Sequence, residues 1–253
     1  MRYFKATVEY DGTEFAGFQW QHNLRTVQGV LEAAIAVRTE QTVRLTGAGR
    51  TDSGVHALGQ VVSFACESTI PTERMAVALN GILPPDLMIR HVDEVGPDFS
   101  ARFSASSRIY AYLILNRDTR SALLRRYTAL YRMPLDVAAM QEGARLLLGE
   151  QDFACFTNEL EPDQPSKRDV KRCHVGRYHK CIVVRIEANA FLRGMVRNIV
   201  GTLMEVGAGR RSAQDIPAVI QSRDRRLAGP TAPPQGLTLL KVRYGLRKNY
   251  KEE

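Results

Sequence analysis

The sequence predicts an α+β fold made of two halves, each with the element order β-α-β-β-α-β. Segments of alternating apolar and polar residues, typical of half-buried strands, recur along the 253 residues. Apolar residues at helical spacing follow the first and third strand of each half, and turn residues separate the elements. This order is that of the ferredoxin-like unit, an antiparallel sheet with helices on one face. Two such sheets joined edge to edge would form a long platform with a central cleft.

The first half begins with the alternating stretch YFKATVEY, which ends at a turn. Val27, Leu31 and Ile35 recur at the spacing of one helix face, and Pro71 suits the first turn of a second helix. We expect strands at 3–10, 43–47, 60–66 and 87–95, and helices at 27–38 and from 71 to the Pro84-Pro85 pair.

The second half repeats the order of elements without repeating the sequence. The small, polar stretch at 100–107 would join the halves, so we divide the chain into residues 1–104 and 105–253. The stretch at 157–169, TNELEPDQPSKRD, has the composition of a mobile loop. We expect strands at 107–115, 170–179, 181–188 and 237–244, and helices at 137–149, 192–207 and 212–222.

The composition is that of a soluble protein, with 44% hydrophobic and 25% charged residues. No apolar run approaches the roughly 20 residues of a membrane span, and the N-terminus lacks the apolar core of a signal peptide. The four cysteines show no C-x-x-C spacing and no histidines at zinc-site intervals. We therefore expect a cytoplasmic protein with reduced cysteines, no metal and no membrane partner.

The positive charge is concentrated in the second half. Residues 1–110 hold 10 basic residues against 12 acidic ones, whereas residues 111–253 hold 25 against 15. The stretch SKRDVKRCHVGR (166–177) is especially basic. A solvated basic surface is the simpler interpretation of charge alone, but the clustering favours a polyanionic partner on the second half.

The chain lacks the motifs of several enzyme classes. It has neither a G-x-x-x-x-G-K-[ST] phosphate loop nor a G-x-S-x-G nucleophile elbow. Ser53 and His56 lie close in sequence, but nothing makes them a nucleophile–base pair, and we interpret His56 as a packing residue. No second carboxylate lies near Asp52 in the sequence, which argues against the two-acid arrangement of ordinary glycosidases.

Residues 47–60, GAGRTDSGVHALGQ, place a lone aspartate in a glycine-rich loop. Asp52 can serve its own backbone in an Asx-turn, the commoner fate of such an aspartate, or act as a nucleophile. A nearby arginine would favour the ionised carboxylate, and the candidates are Arg50 and Arg197. Arg197 lies in an otherwise apolar helix, where it either extends to solvent or pairs with a buried acid. The residues alone leave both questions open.

Alternation places Tyr110, Tyr112 and Arg108 on one face of the strand predicted at 107–115. Aromatic rings beside an arginine on an open sheet face are typical of surfaces that stack the bases of RNA. The alternative is that both tyrosines are ordinary core residues, which is the commoner fate of aromatic residues in strands.

Seven stretches resemble the TruA-type tRNA pseudouridine synthases, in the order and spacing of that family and along nearly the whole chain. They are YDGTEFAGFQ (10–19), TVQGVLEAAI (26–35), GAGRTDSGVHALGQV (47–61), FSARFSA (99–105), RIYAY (108–112), MVRNIVGTLMEVG (195–207) and QGLTLLKVRY (235–244). The resemblance implies the pseudouridine synthase fold and the isomerisation of uridine to pseudouridine, with no cofactor and no metal. It also implies that the target base is flipped out of a stem-loop.

The resemblance implies a role for each candidate in the site. Asp52 would be the nucleophile, attacking either the ribose C1′ or C6 of the base, and Arg197 its ion-pair partner. Tyr110 matches a tyrosine that stacks on the target base, and Leu237 a leucine on the other face of the uracil. Arg50 matches an arginine that helps to hold the flipped nucleotide.

The resemblance also implies the partners. The segment FSARF, with Phe99, Arg102 and Phe103, matches one that contacts tRNA, and Arg102 would bind phosphate. The family also uses the loop in the second half for RNA. Here that loop departs from the family pattern, although Lys167 and Arg168 keep its charge. Members act as homodimers on uridines 38, 39 and 40 in the anticodon stem-loop of tRNA.

A module that binds RNA without any chemistry is the rival hypothesis, since it would explain the charge and the sheet aromatics equally well. It would not explain a carboxylate in the glycine-rich loop, because an anion there repels phosphate. The chain also lacks the aromatic runs of RNA-recognition modules. A nucleotide-binding enzyme with a glycine loop would need a lysine that this loop does not have.

Overall fold

The computed structural model describes residues 1–160 and 165–245. Its strands are β1 (Arg2–Tyr10), β2 (Thr46–Gly47), β3 (His56–Cys66), β4 (Leu87–Val95), β5 (Ala105–Asn116), β6 (Ala129–Tyr131), β7 (Gly149–Asp152), β8 (Lys167–Tyr178), β9 (Cys181–Ala188) and β10 (Leu237–Tyr244). Its helices are α1 (Val27–Thr39), α2 (Thr72–Asn80), α3 (Val137–Arg145), α4 (Met195–Gly207) and α5 (Ile216–Ser222).

The strands of this described part form one sheet in the order β4-β1-β3-β10-β5-β9-β8-β7, with β2 beside β3 and β6 beside β5. The first half thus contributes β4-β1-β3-β2 and the second β10-β5-β9-β8, which is the same ferredoxin-like order twice. The predicted α+β fold and the edge-to-edge joining of its two sheets are confirmed.

The halves meet where β3 runs parallel to β10, with Thr238 opposite His56 and Leu239 opposite Ala57. His56 directly follows the glycine-rich loop, so this short pairing places the start of β10 beside that loop. β10 continues as an antiparallel partner of β5, opposite Tyr112 and Tyr110. The junction therefore gathers residues from both halves around residues 47–55.

One face of the sheet carries the core. Phe4, Ala6, Val8 and Tyr10 of β1 are buried, while the residues between them are half-buried. The buried side chains of α1 and α2 belong to the same apolar cluster as these residues. This is the pattern of an antiparallel sheet with helices on one side.

Several predicted boundaries in the first half and in α4 are wrong. β2 covers two residues rather than 43–47, and β3 begins at His56 rather than at 60 because its first residues pair with β10. The helix predicted at 192–207 begins at Met195, since Gly194 precedes it with a φ of 71°, outside helical geometry.

Two further boundaries differ in the second half. The helix predicted at 137–149 ends at Arg145, and Gly149, with a φ of 88°, begins β7 instead. β8 begins at Lys167 rather than at 170, because Lys167 pairs with Asp152 of β7. The loop predicted at 157–169 is therefore shorter than expected, and its residues 161–164 lie outside the described residues.

Candidate active site

Buried polar side chains form hydrogen bonds with the glycine-rich loop. The Thr51 hydroxyl lies 2.9 Å from that of Tyr10, at the end of β1. The fully buried Gln60 donates from Nε2 to the Gly49 carbonyl at 2.8 Å. Both bonds flank Arg50, so the backbone is fixed on each side of that residue and directly before Asp52.

Two glycines allow close contact between this loop and neighbouring segments. Gly17 has a φ of 98°, and a Cβ there would lie 3.0 Å from the Thr51 carbonyl oxygen. Gly54 has a φ of 76°, and a Cβ there would lie 3.1 Å from Cγ of Pro234. Both positions combine left-handed backbone with close contact, which favours glycine at each.

Asp52 and Arg197 form an ion pair between the loop and α4. Nη1 of Arg197 donates to Oδ2 of Asp52 at 2.9 Å, and its Nε donates to the Ala232 carbonyl at 2.7 Å. The side chains are 31% and 17% exposed, so the carboxylate stays accessible while its partner is mostly covered. The Asp52 carbonyl, rather than its carboxylate, accepts the Val55 N–H that closes the turn. Arg197 thus pairs with an acid rather than extending to solvent.

The other candidate cation does not take part in this pair. Arg50 is exposed and makes no ion pair with any residue of the described ranges. Its guanidinium remains available to solvent or to a ligand beside the loop.

Tyr110 lies below the loop with its hydroxyl 3.8 Å from the place that a Cβ of Gly49 would occupy. Its ring meets that of Phe191 edge to face, at 5.1 Å between centroids. Burial, with smaller contributions from Tyr10 and from the Asp52 charge, raises the pKa of Tyr110 above its ordinary value. The hydroxyl is therefore neutral at physiological pH, and it makes no hydrogen bond with the part of the chain that the structure describes.

The prediction that Tyr110, Tyr112 and Arg108 share one face is confirmed, but the expectation of an open face is wrong. All three are buried. The Tyr112 hydroxyl donates to the Pro233 carbonyl at 2.8 Å. Both tyrosine rings therefore belong to the buried apolar core.

Leu237, the first residue of β10, is buried opposite Tyr112, and Leu239 lies opposite Tyr110. Opposite residues of an antiparallel pair project to the same face. Leu237 and Tyr110 therefore lie on the same face of the sheet, and one pair of opposite residues, Thr238 and Ala111, separates them along the strands.

Arg108 is a buried arginine that bonds to the backbone of two other segments. Its Nε and Nη2 donate to the Ala48 carbonyl at 3.1 and 2.8 Å, and Nη2 also donates to the Arg102 carbonyl at 2.6 Å. One buried guanidinium thus ties the glycine-rich loop to the segment 99–103. The signal was present, since a charged residue in the apolar strand RIYAYLIL needs buried partners.

The segment 99–103 divides into a packed and an exposed part. Phe99 is half-buried, with its ring 5.1 Å from that of Tyr244. Arg102 and Phe103 are exposed, and the guanidinium lies 5.2 Å from the centre of the Phe103 ring. Of the three candidates for RNA contact, Arg102 and Phe103 are thus accessible, and Phe99 mainly supports the fold.

Lys167 and Arg168 lie at the start of β8 rather than in a loop. Lys167 is exposed. Arg168 is half-buried and donates from Nη1 to the carbonyls of Pro165 and of Lys167, at 2.6 and 2.7 Å. The Arg168 guanidinium is therefore bonded to the backbone of neighbouring residues, and Lys167 is the more accessible of the two charges.

Sequence reasoning missed Tyr10, Gln60 and Phe191. The first two are polar residues at buried strand positions, and Phe191 precedes α4. A polar residue inside the apolar run QVVSFAC is a detectable signal, whereas the contact of Phe191 with Tyr110 depends on the assembled fold.

No group of three or more His, Cys, Asp and Glu side chains among residues 1–160 and 165–245 is arranged to hold a metal ion. Over the same ranges, none of the helices has the length and apolar character needed to cross a membrane.

The family model described as tRNA pseudouridine synthase matches residues 6–104 and 144–245. The chain therefore belongs to the tRNA pseudouridine synthase family, whose members are isomerases acting on uridine in tRNA. The resemblance seen in the seven sequence stretches is confirmed.

Curated relatives match over nearly their whole length. A tRNA pseudouridine synthase A of Caldicellulosiruptor saccharolyticus is 46% identical over 244 residues, which cover 96% of this chain and 100% of the relative. One from Chloroflexus aurantiacus is 46% identical over 248 residues, covering 96% and 89%. Among solved structures, a Cbf5–Nop10–Gar1 complex matches 79% of this chain and 54% of its own at 14% identity, with a TM-score of 0.32. A TM-score that low adds nothing to the description of the fold.

Proposed function

We propose that this isomerase converts uridines 38, 39 and 40 in the anticodon stem-loop of tRNA to pseudouridine, with Asp52 as the nucleophile. The observation that carries the proposal is the 2.9 Å ion pair between Asp52 and Arg197. It orients an accessible carboxylate in a loop that has no second acid nearby in the sequence. A lone ionised carboxylate suits covalent catalysis.

In the reaction, the Asp52 carboxylate bonds to the target nucleotide, at C1′ or at C6 of the base. The N-glycosidic bond breaks, the uracil turns, and its C5 bonds to C1′. The C5 proton is lost, N1 gains a proton, and release of the carboxylate regenerates the enzyme. Arg197 keeps the carboxylate oriented before the attack.

Three side chains would bind the flipped nucleotide. Tyr110 stacks on the uracil, and its neutral hydroxyl can donate a hydrogen bond or relay the C5 proton. Leu237, on the same side of the sheet, packs on the other face of the base. Arg50, exposed beside Asp52, holds the phosphate of the flipped nucleotide. Their contacts repay the few kcal/mol that unstacking a base costs.

The tRNA itself would be held mainly through its phosphates. Arg102 and Lys167 are the accessible charges among the candidates, while Phe99, Phe103 and Arg168 shape the surfaces around them. The basic excess of the second half supports this mode of binding.

Residues 1–104 would form the half that carries the catalytic loop, and residues 105–253 the basic RNA-binding half. We further propose that the protein acts as a cytoplasmic homodimer, as the family resemblance implies.

The test is to incubate the protein with an unmodified tRNA transcript and to map pseudouridine at single-nucleotide resolution. We expect pseudouridine at positions 38, 39 or 40, and none when those positions are changed to cytidine. A transcript that binds but stays unmodified would favour the rival hypothesis of an RNA-binding module. Pseudouridine confined to other positions would contradict the proposed substrate site.

A further inference from the structure

Two hydrogen bonds join Arg197 to Ala232, a residue distant in the sequence. Its Nε donates to the Ala232 carbonyl at 2.7 Å, and the Ala232 N–H donates back to the Arg197 carbonyl at 3.1 Å. Because Nε is held in this way, the position of Ala232 sets the direction in which Nη1 points toward Asp52. Ala232 belongs to the segment 228–232, which lies between α5 and β10 outside any helix or strand.

The segment 228–232 lies directly on the backbone of α4. A Cβ on Gly201 would be 1.6 Å from the Pro230 carbonyl oxygen, and one on Gly229 would be 2.7 Å from the backbone of Thr202. The Gly229 N–H donates to the Thr202 hydroxyl at 2.8 Å. Glycines on both partners thus permit a close contact between the two backbones.

Arg225 supplies side-chain bonds that fix it. Its Nη1 donates to the Gly229 carbonyl at 3.0 Å, and its Nη2 donates to the Thr231 hydroxyl and to Oδ1 of Asn198, at 2.9 and 3.0 Å. The Thr231 hydroxyl donates to the same Asn198 oxygen at 2.6 Å. Asn198 is fully buried in α4, next to Arg197. The guanidinium therefore connects the segment 228–232 to the helix turn that carries Arg197.

The same side chain reaches one further loop. Nε of Arg225 donates to Oδ1 of Asn158 at 3.1 Å, and Nδ2 of Asn198 donates to that oxygen at 3.0 Å. Within the described ranges, Arg225 has no carboxylate partner, so neutral oxygens from three segments satisfy its charge. An arginine is suited to this, because its planar fork presents five donors in fixed directions.

We propose that Arg225 is a positioning residue for the isomerisation: it holds the segment 228–232 on α4, so that Ala232 aims Arg197 at Asp52. The inference rests on the proposed role of Asp52. Arg226 offers a matched control, since it adjoins Arg225, is 89% exposed, and bonds only to Asp224 among the residues described.

The test compares kcat and KM for pseudouridine formation in tRNA. Arg225→Met should lower kcat about tenfold with KM unchanged within about twofold, and Arg226→Met should leave both unchanged. In an Arg197→Lys background, Arg225→Met should change kcat less than about twofold. A single ammonium nitrogen cannot bond to Ala232 and Asp52 in the geometry of the guanidinium, so the position of Ala232 no longer matters for the contact with Asp52. A full kcat in Arg225→Met, or an equal loss in both backgrounds, would overturn the proposal.

Two arms keep the test decisive. If Arg225→Met does not fold, Thr231→Val removes the hydroxyl that accepts from Arg225 and donates to Asn198, and it should lower kcat about threefold, again only when Arg197 is present. If the wild type forms no pseudouridine, the proposed function fails, and hydrogen exchange then tests the hydrogen bonds between Arg197 and Ala232 without an activity assay. The Ala232 amide should exchange faster in Arg225→Met than in wild type or Arg226→Met. Equal protection in all three proteins would show that Arg225 does not hold Ala232 in place.

Discussion

Arg197 bonds at once to the Asp52 carboxylate and to the Ala232 carbonyl, and we propose that it orients Asp52 for the attack. Arg197→Met leaves Asp52 without a counter-charge, so we expect the single-turnover rate to fall roughly 100-fold or more. Stability should change by only about 1 kcal/mol, because the partly exposed pair is screened by solvent. Single-turnover kinetics and tRNA binding are the measurements. A rate within threefold of the wild type would exclude Arg197 from the mechanism.

We propose that Tyr110 contributes its ring and its neutral hydroxyl to base binding and proton transfer. Since burial raises the pKa of Tyr110 above the ordinary value of about 10, its proton stays in place throughout the neutral range. The rate should therefore show no loss from this group as the pH rises to about 9. Tyr110→Phe keeps the ring, so we expect a lower kcat with little change in tRNA affinity. If kcat is unchanged, the hydroxyl has no part in proton transfer.

The sequence foresaw individual residues better than their surroundings. Arg197 stood out because a charge in an apolar helix needs a partner, and Asp52 because its loop held a lone acid. Their contact spans 145 positions of the chain, so no local pattern could establish it. The RNA contact predicted for Arg168 stays a prediction, and its guanidinium bonds to the backbone carbonyls of Pro165 and Lys167.

Among the elements, the glycine-rich loop depends on glycines where neighbouring segments contact it. Gly17→Ala would strain a residue with a φ of 98° and press against the Thr51 carbonyl. We expect a loss of roughly 1–3 kcal/mol in the free energy of unfolding, together with a lower kcat. Gly96→Ala is the control, because nothing lies within 4 Å of a Cβ there. Urea denaturation should separate the two variants, and equal stabilities would show that the loop tolerates the change.

Periodicity predicted that most strands and helices exist, because alternation and helical spacing report burial directly. It misplaced the start of β3, where His56 pairs with β10 and Ala57 pairs with both β10 and Tyr10 of β1. The pairing of β3 with β10 is likewise absent from any local pattern. Tertiary pairing decided these boundaries, and the division of the chain at residue 104 stays a prediction.

At the scale of the whole molecule, charge asymmetry should govern tRNA binding. Lys167→Ala removes an exposed charge in the basic half, so we expect weaker binding and a salt slope smaller by about 1. Lys5→Ala is the control, because Lys5 belongs to the acidic half and already pairs with Asp93 at 2.6 Å. Affinity measured across a range of salt concentrations gives both slopes. Identical slopes for the two variants would remove Lys167 from the phosphate contacts.

We propose above that Asp52 attacks the target nucleotide in a tRNA that the rest of the molecule holds. The most direct measurement is tritium release from C5-labelled uridine in an unmodified tRNA, with wild-type protein and with Asp52→Ala. We predict that the wild type releases tritium, whereas Asp52→Ala releases none and still binds tRNA within a few-fold of the wild-type affinity. Tritium release by Asp52→Ala at the wild-type rate would contradict the account.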